Sequence, residues 1–135
     1  MIKENNSAIA IGRNLRISRK YSVEIARFIK GKSTEKAITQ LQGVIKKEQY
    51  IPIKRFKSNA GHRTGGQLGR YPVKAAGEFL KLIKGAIENA KYAGLSEKLY
   101  IAETIVNTGR QFRTPKRNAG RLPKMTHVKI KVKEK

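Results

Sequence analysis

The sequence predicts an α+β fold, and three observations point to it. Apolar residues recur at helical spacing in three separate stretches, most clearly from Ala76 to Ala90. A strict two-residue alternation sets Val128, Ile130 and Val132 against Lys129, Lys131 and Lys133, the pattern of a half-buried strand with a basic outer face. The last two β segments are joined by a long, polar, Pro-punctuated excursion with almost nothing to bury, which suggests a projecting hairpin arm. The 135 residues suit a single domain, with a Gly-rich basic loop over 54–72 and a β-hairpin arm over about 107–127.

The elements follow in order. The first few residues are mostly polar and are expected to be loose. From Ala8 to Ile17 the chain reads as a strand, with Ala8, Ile9 and Ile11 ahead of an alternating Leu15 and Ile17. Ser18 is placed as a helix N-cap whose hydroxyl would accept from an orphan backbone amide. The short helix after it carries Val23, Ala26 and Ile29 on one face and ends at Gly31. Ser33 caps a second helix, with Glu35 in the first turn, where the helix dipole favours an anion. Its apolar stripe is Ala37, Leu41, Val44 and Ile45; Lys46 and Lys47 sit at the end that favours cations, and Pro52 forbids continuation. Pro72 suits the first turn of a third helix. That helix turns Ala76, Phe79, Leu80, Ile83, Ala86, Ile87 and Ala90 inward, sets Lys74, Lys81, Lys84 and Lys91 mainly on the other side, and ends at Gly94. Leu99 to Val106 is then a strand, and Glu103 on it is read as an ion-pair partner for an arm residue.

Charge bounds the function. Lys and Arg total 31 against 9 acids, a formal charge of +22, and every acid is Glu. Such a charge repels itself and calls for a large anionic partner. Nucleic-acid phosphate fits best, because each neutralised phosphate releases condensed counterions. An anionic membrane surface would want a basic helix with a bulky apolar face, whereas the strongest basic stretches here are rich in Gly and Pro. Two segments contain no acid. Gln49 to Gly77 carries Lys54, Arg55, Lys57, Arg63, Arg70 and Lys74, with His62 and five glycines. Thr104 to Lys133 holds nine basic residues, including Arg110, Arg113, Lys116, Arg117, Arg121 and Lys124. A merely solvated surface also produces basic runs, but here two separate segments are purged of acid while the helices keep theirs.

Glycine lets backbone approach phosphate closely, and Arg makes bidentate phosphate contacts that Lys cannot. Arg63 and Arg70 are expected to serve that contact while barely affecting the free fold. Tyr50, Phe56, Tyr71 and Phe112 are interleaved with the cations; each can stack on an unpaired base or anchor its loop to the core.

Other classes fall away. The chain has no cysteine, so disulfides, zinc knuckles and thiol nucleophiles are excluded together. The run GHRTGGQLGR, Gly61 to Arg70, invites a phosphate-loop reading, but Gln67 follows Gly66 where the Walker pattern needs Lys. Gly66 to Gly69 fits the GXXG of a KH domain, yet that loop joins two helices and this one precedes Pro72. His62 and His127 are the only histidines, His62 read as an RNA contact or loop residue and His127 as a structural hydrogen-bonder. Without Asp or Cys, no paired-carboxylate site or metal cluster presents itself, so no catalytic residue, metal, cofactor or small-molecule substrate is expected. No apolar run approaches the roughly 20 residues of a membrane-spanning helix. The N-terminus lacks the apolar core of a secretory signal, which leads to a cytoplasmic expectation with no membrane partner. The rival from another class is a DNA-architectural protein with basic β-ribbon arms, in which Pro115 or Pro123 would wedge between base steps. The second basic segment, Lys54 to Lys74, lies outside any such arm and speaks for a many-sided partner.

The motifs also run in a familiar order: GRNLRIS (Gly12 to Ser18), IKGKS (Ile29 to Ser33), PIKRF (Pro52 to Phe56), GHRTGGQLGRYPVKAA (Gly61 to Ala76), GR (Gly109, Arg110), PKRNAGR (Pro115 to Arg121) and TH (Thr126, His127). From Gly12 to Val132 the chain resembles the universal large-subunit ribosomal protein family numbered twenty-two. The long Gly-rich run before the third helix is similar to the archaeal and eukaryotic type. The resemblance implies three helices packed on a three-stranded antiparallel sheet, with a long β-hairpin extension. It implies docking on large-subunit rRNA beside neighbouring ribosomal proteins, with Arg13 and Arg16 joining the basic residues above as RNA contacts. It further implies that the hairpin lines the nascent-peptide tunnel, its tip formed by Arg113, Thr114, Pro115, Lys116, Arg117, Asn118, Ala119, Gly120 and Arg121. In the family's terms the segment between Gly109 and His127 is short, and Lys116 and Asn118 depart from a usual Pro-Arg-Ala run. An arm so rich in charge is expected to order only on binding RNA.

Overall fold

The computed structural model of the chain describes residues 6–115, 117 and 119–134. In chain order the elements are β1 (Ser7–Leu15), α1 (Arg19–Ile29), α2 (Thr34–Ile45), β2 (Ile51–Pro52), β3 (Gly69–Arg70), α3 (Val73–Tyr92), β4 (Leu99–Thr108) and β5 (Thr126–Glu134). One antiparallel sheet has the order β1-β5-β4, and β2 and β3 form a separate two-stranded ribbon. Three helices on a three-stranded antiparallel sheet is the α+β fold the sequence predicts.

The last strand lies at the centre of the sheet, and this explains its pattern. Thr126, Val128, Ile130 and Val132 are fully buried, while the lysines between them turn to the open face. A slip of one residue would expose that whole row, so the register is fixed. Both edges are tied down. Along β4, Ile101 N–H donates to the Lys32 carbonyl at 2.9 Å and Gly31 N–H donates to the Ile101 carbonyl at 2.8 Å. That link needs the α1–α2 turn to reverse sharply, and Gly31 does so at φ +78. On β1, the Asn89 side-chain amide of α3 donates to the Ile9 carbonyl at 2.9 Å.

The helices cover one face of the sheet: α1 lies over β4, α3 over β1, and α2 against α3. Ile25, Ile29, Leu41, Val44, Phe79 and Ile83 have no exposed surface and meet Ile101, Ile130 and the valines of β5. Burying each large apolar side chain contributes about 1.5–3 kcal/mol, so this cluster is what holds the free chain together. Ser33 caps α2 as expected, accepting from Lys36 N–H.

The structure corrects several details. Ser18 occupies the N-cap of α1, but its hydroxyl makes no cap bond; its carbonyl instead accepts from the Ser22 amide and hydroxyl. The buried face of α1 is Ser22, Glu24, Ile25, Ala26 and Ile29, with Val23 only half-buried, because α1 packs on β2 as well as on β4. In α3, Leu80 and Ile87 are half-buried and Ala75 joins the core. β1 stops at Leu15, short of Ile17, and its register against β5 shifts between Gly12 and Leu15, where Asn14 turns to φ +51.

Candidate nucleic-acid interface

A buried acid organises the Gly-rich basic loop. Glu24 on α1 is 2% exposed. Its carboxylate accepts from three successive backbone amides: Lys54 at 3.2 Å, Arg55 at 2.7 Å and Phe56 at 3.1 Å. Burial pushes the Glu24 carboxyl up, but the amides of Arg55, Lys54 and Phe56 and the charge of Arg27 outweigh it. The group lies below its ordinary value and stays ionised. With the backbone held from inside, the Lys54 and Arg55 side chains are left exposed to solvent. Ile51 and Ile53 are buried and pin the start of the loop. The Tyr50 ring lies where a β carbon on Gly69 would be, which explains glycine there and makes Tyr50 a loop anchor. His62 bridges to Leu68 across a tight turn at Gly65 and Gly66, both at positive φ.

Two arginines are partly spent on this scaffold. Arg63 Nε donates to the Gly69 carbonyl at 3.0 Å, and its guanidinium lies 4.9 Å from the Tyr71 ring centre. Arg70 donates to the Tyr21 hydroxyl and to the Asn59 carbonyl. The expectation that both leave the free fold unaffected is therefore corrected: they close the loop. Phe56 is no bare stacking platform either, since Arg55, Lys20 and Arg19 lie 5.4, 5.7 and 5.9 Å from its ring centre. Phe112, in contrast, is 45% exposed in the arm.

The arm has a closed base. Gly109 N–H donates to the Met125 carbonyl at 2.8 Å. A β carbon at Gly109 would come within 2.9 Å of the Met125 backbone, so only glycine permits this approach. The kinked Asn14 ties the end of β1 to both sides of the arm: its N–H donates to His127 Nδ1 at 3.1 Å, and its Oδ1 accepts from Arg110 N–H at 3.0 Å. His127 is thus the structural hydrogen-bonder the sequence suggested. Further out, the Thr114 amide and hydroxyl both donate to the Arg121 carbonyl.

Arg13, Arg16, Lys54, Arg55, Lys57, His62, Lys74, Arg110, Arg113, Arg117, Arg121 and Lys124 are exposed, and Arg63 and Arg70 are half-buried. Pro115, Ala119 and Gly120 of the expected tip are exposed and Thr114 is half-buried, while Lys116 and Asn118 lie outside the described residues. The fold brings Arg16, Lys74 and Lys124 to one cleft, although they are far apart in the chain. A second cleft, between α1 and β4, gathers Arg55 with Arg27 and Lys30. Sequence reading passed over those last two because they sit on an ordinary helix, not in an acid-free segment. It also passed over Asn14 and Glu24. Glu103 forms no ion pair among the described residues, where the one ion pair is Lys81 with Glu78, so the expected partnership is absent there; Lys116 of the arm lies outside them.

Comparison with known proteins places this geometry. The family described as ribosomal protein L22p/L17e matches residues 10–133. The large ribosomal subunit protein uL22 of Methanococcoides burtonii is 46% identical over 106 residues, covering 77% of this chain and 70% of that protein. Its counterpart in Methanoculleus marisnigri is 42% identical over 116 residues, covering 83% and 76%. That of Cenarchaeum symbiosum is 36% identical over 135 residues, covering 90% and 86%.

Proposed function

The chain belongs to the ribosomal protein L22p/L17e family, and from that premise we propose that it is a structural constituent of the large ribosomal subunit in the cytoplasm. It binds large-subunit rRNA and is not an enzyme. The observation that carries this reading is the pairing of a family match across residues 10–133 with two acid-free basic segments presented on a rigid core. The globular part docks through the loop 54–72, with Lys54, Arg55, Lys57 and His62 as outward contacts, and through Lys74 at the start of α3. Arg63 and Arg70 shape the loop and add the remaining edges of their guanidinium groups. Arg13, Arg16 and the residues of the arm extend the contact.

The arm, residues 107–127, lines the exit tunnel, with its tip inside 113–121 facing the nascent peptide. Support comes from its chemistry: its exposed arginines neutralise phosphate walls, and no apolar face of its own would hold it against the domain. Recognition then rests on RNA shape and phosphate, not mainly on base edges. Co-sedimentation tests the reading. A tagged chain expressed in an archaeal host should migrate with large subunits at low salt. A chain found only in the free fractions would overturn it.

A further inference from the structure

Resting on the rRNA-binding reading above, we propose that the cleft between α1, α3 and the base of the arm receives one unpaired rRNA nucleotide, base inward and phosphates at the rim. The cleft is an open groove of about 450 Å³, a volume within the range of about 300–1,000 Å³ usual for small-ligand sites. Its walls are Tyr21, Pro72, Val73 and Pro123, flat or compact apolar surfaces against which a base can lie. Its cations are Arg16, Lys74 and Lys124, all exposed, and no acid lines it. Glu24 of α1 is not among the lining residues, and its carboxylate is turned to the amides of Lys54, Arg55 and Phe56.

Two features suit a nucleotide better than a passing duplex backbone. A duplex presents its phosphates outside and its bases stacked, so it would touch the rim and leave the apolar interior empty. An unpaired nucleotide fills both, since every base has a face that stacks and a phosphate on either side. The first turns of α1 and α3 also border the cleft, and neither holds an acid or a side-chain cap. Val73 N–H is taken by the Tyr71 carbonyl, and the other amides of these first turns add to the donors of Arg16, Lys74 and Lys124. α2, which does not border it, starts with the Ser33 cap and Glu35.

The test uses the full chain on large-subunit rRNA. The triple variant Arg16→Ala, Lys74→Ala, Lys124→Ala is compared with Lys84→Ala, Lys91→Ala, Lys98→Ala, which removes equal charge elsewhere. The cleft triple should weaken binding at least about tenfold more than the control. Val73→Trp keeps every charge and fills the interior. It should cost about tenfold in affinity, the scale of one lost base stack, with the salt slope unchanged. Ultraviolet crosslinking of the unaltered chain should give a single-nucleotide adduct on the peptide holding Tyr21, whether or not the Trp variant folds. Equal losses from the two triples, no such adduct, or a crosslink to a neighbouring protein would overturn the cleft while leaving rRNA binding intact. An unaltered chain that does not bind rRNA would instead overturn the functional reading beneath it.

Discussion

Replacing Glu24 tests whether one buried acid sets the shape of the basic loop. The carboxylate receives three backbone hydrogen bonds, two on Oε1 from Arg55 and Phe56 and one on Oε2 from Lys54. Hydrogen bonds to a charged acceptor contribute about 1.5–3 kcal/mol each, but amides at a loop surface regain much of that from water. A net loss of about 3 kcal/mol for Glu24→Ala follows, or a fall in Tm on the order of 10 °C for a chain of this size. Glu24→Gln keeps a carbonyl for Arg55 and Phe56 but turns an amide donor toward the Lys54 donor, so it should lose about half as much. Because the folded carboxyl sits below its ordinary value, its contribution is complete above the unfolded pKa and disappears as pH falls through the folded one. The gap between the parent and Glu24→Gln should therefore be constant at neutral pH and close below about pH 4. Thermal melting followed by circular dichroism across that range reads both effects. If Glu24→Ala melts within about 2 °C of the parent, the three amides are not energetically coupled to the acid and the reasoning fails.

Three further outcomes are expected. Ile83→Ala should destabilise the free chain by about 2–5 kcal/mol in urea titration, and Leu80→Ala, half-buried in the same helix, by clearly less. If only six phosphate contacts form, rRNA affinity should fall on the order of 10³-fold between about 50 and 200 mM salt; filter binding that gives a nearly flat log–log plot would remove the electrostatic argument. Deleting residues 113–121 and closing the arm with a short turn should leave a folded domain that still enters large subunits but changes how nascent chains or tunnel-binding inhibitors behave. In the free parent chain the amides of Phe112, Arg113 and Leu122 should exchange fast, since they lie in exposed backbone beyond the clamp at Gly109.

The sequence by itself determined the three helices, the three strands of the main sheet, most of the core and the class of partner, but not the β2–β3 ribbon. Periodicity is a local property, so the stripe from Ala76 to Ala90 and the alternation at Val128, Ile130 and Val132 could be read directly, and both are buried except at Leu80 and Ile87, which are half-buried. Net charge and its segregation are also local counts, and they named a polyanion before any fold was known. What only the tertiary structure decided is how distant residues meet. Glu24 reads as one acid among many on a helix; its role exists only because the loop from Lys54 to Phe56 folds over it, some 30 residues later in the chain. Asn14 has no signal of its own, yet it clamps Arg110 and His127 at the base of the arm. Arg63 and Arg70 look like spare charge in sequence and turn out to close their own loop. The cleft of Arg16, Lys74 and Lys124 draws on three separate stretches of chain. Burial patterns repeat along a segment and leave a trace in it, whereas a hydrogen bond or a shared cleft between remote segments depends on packing that no single stretch encodes.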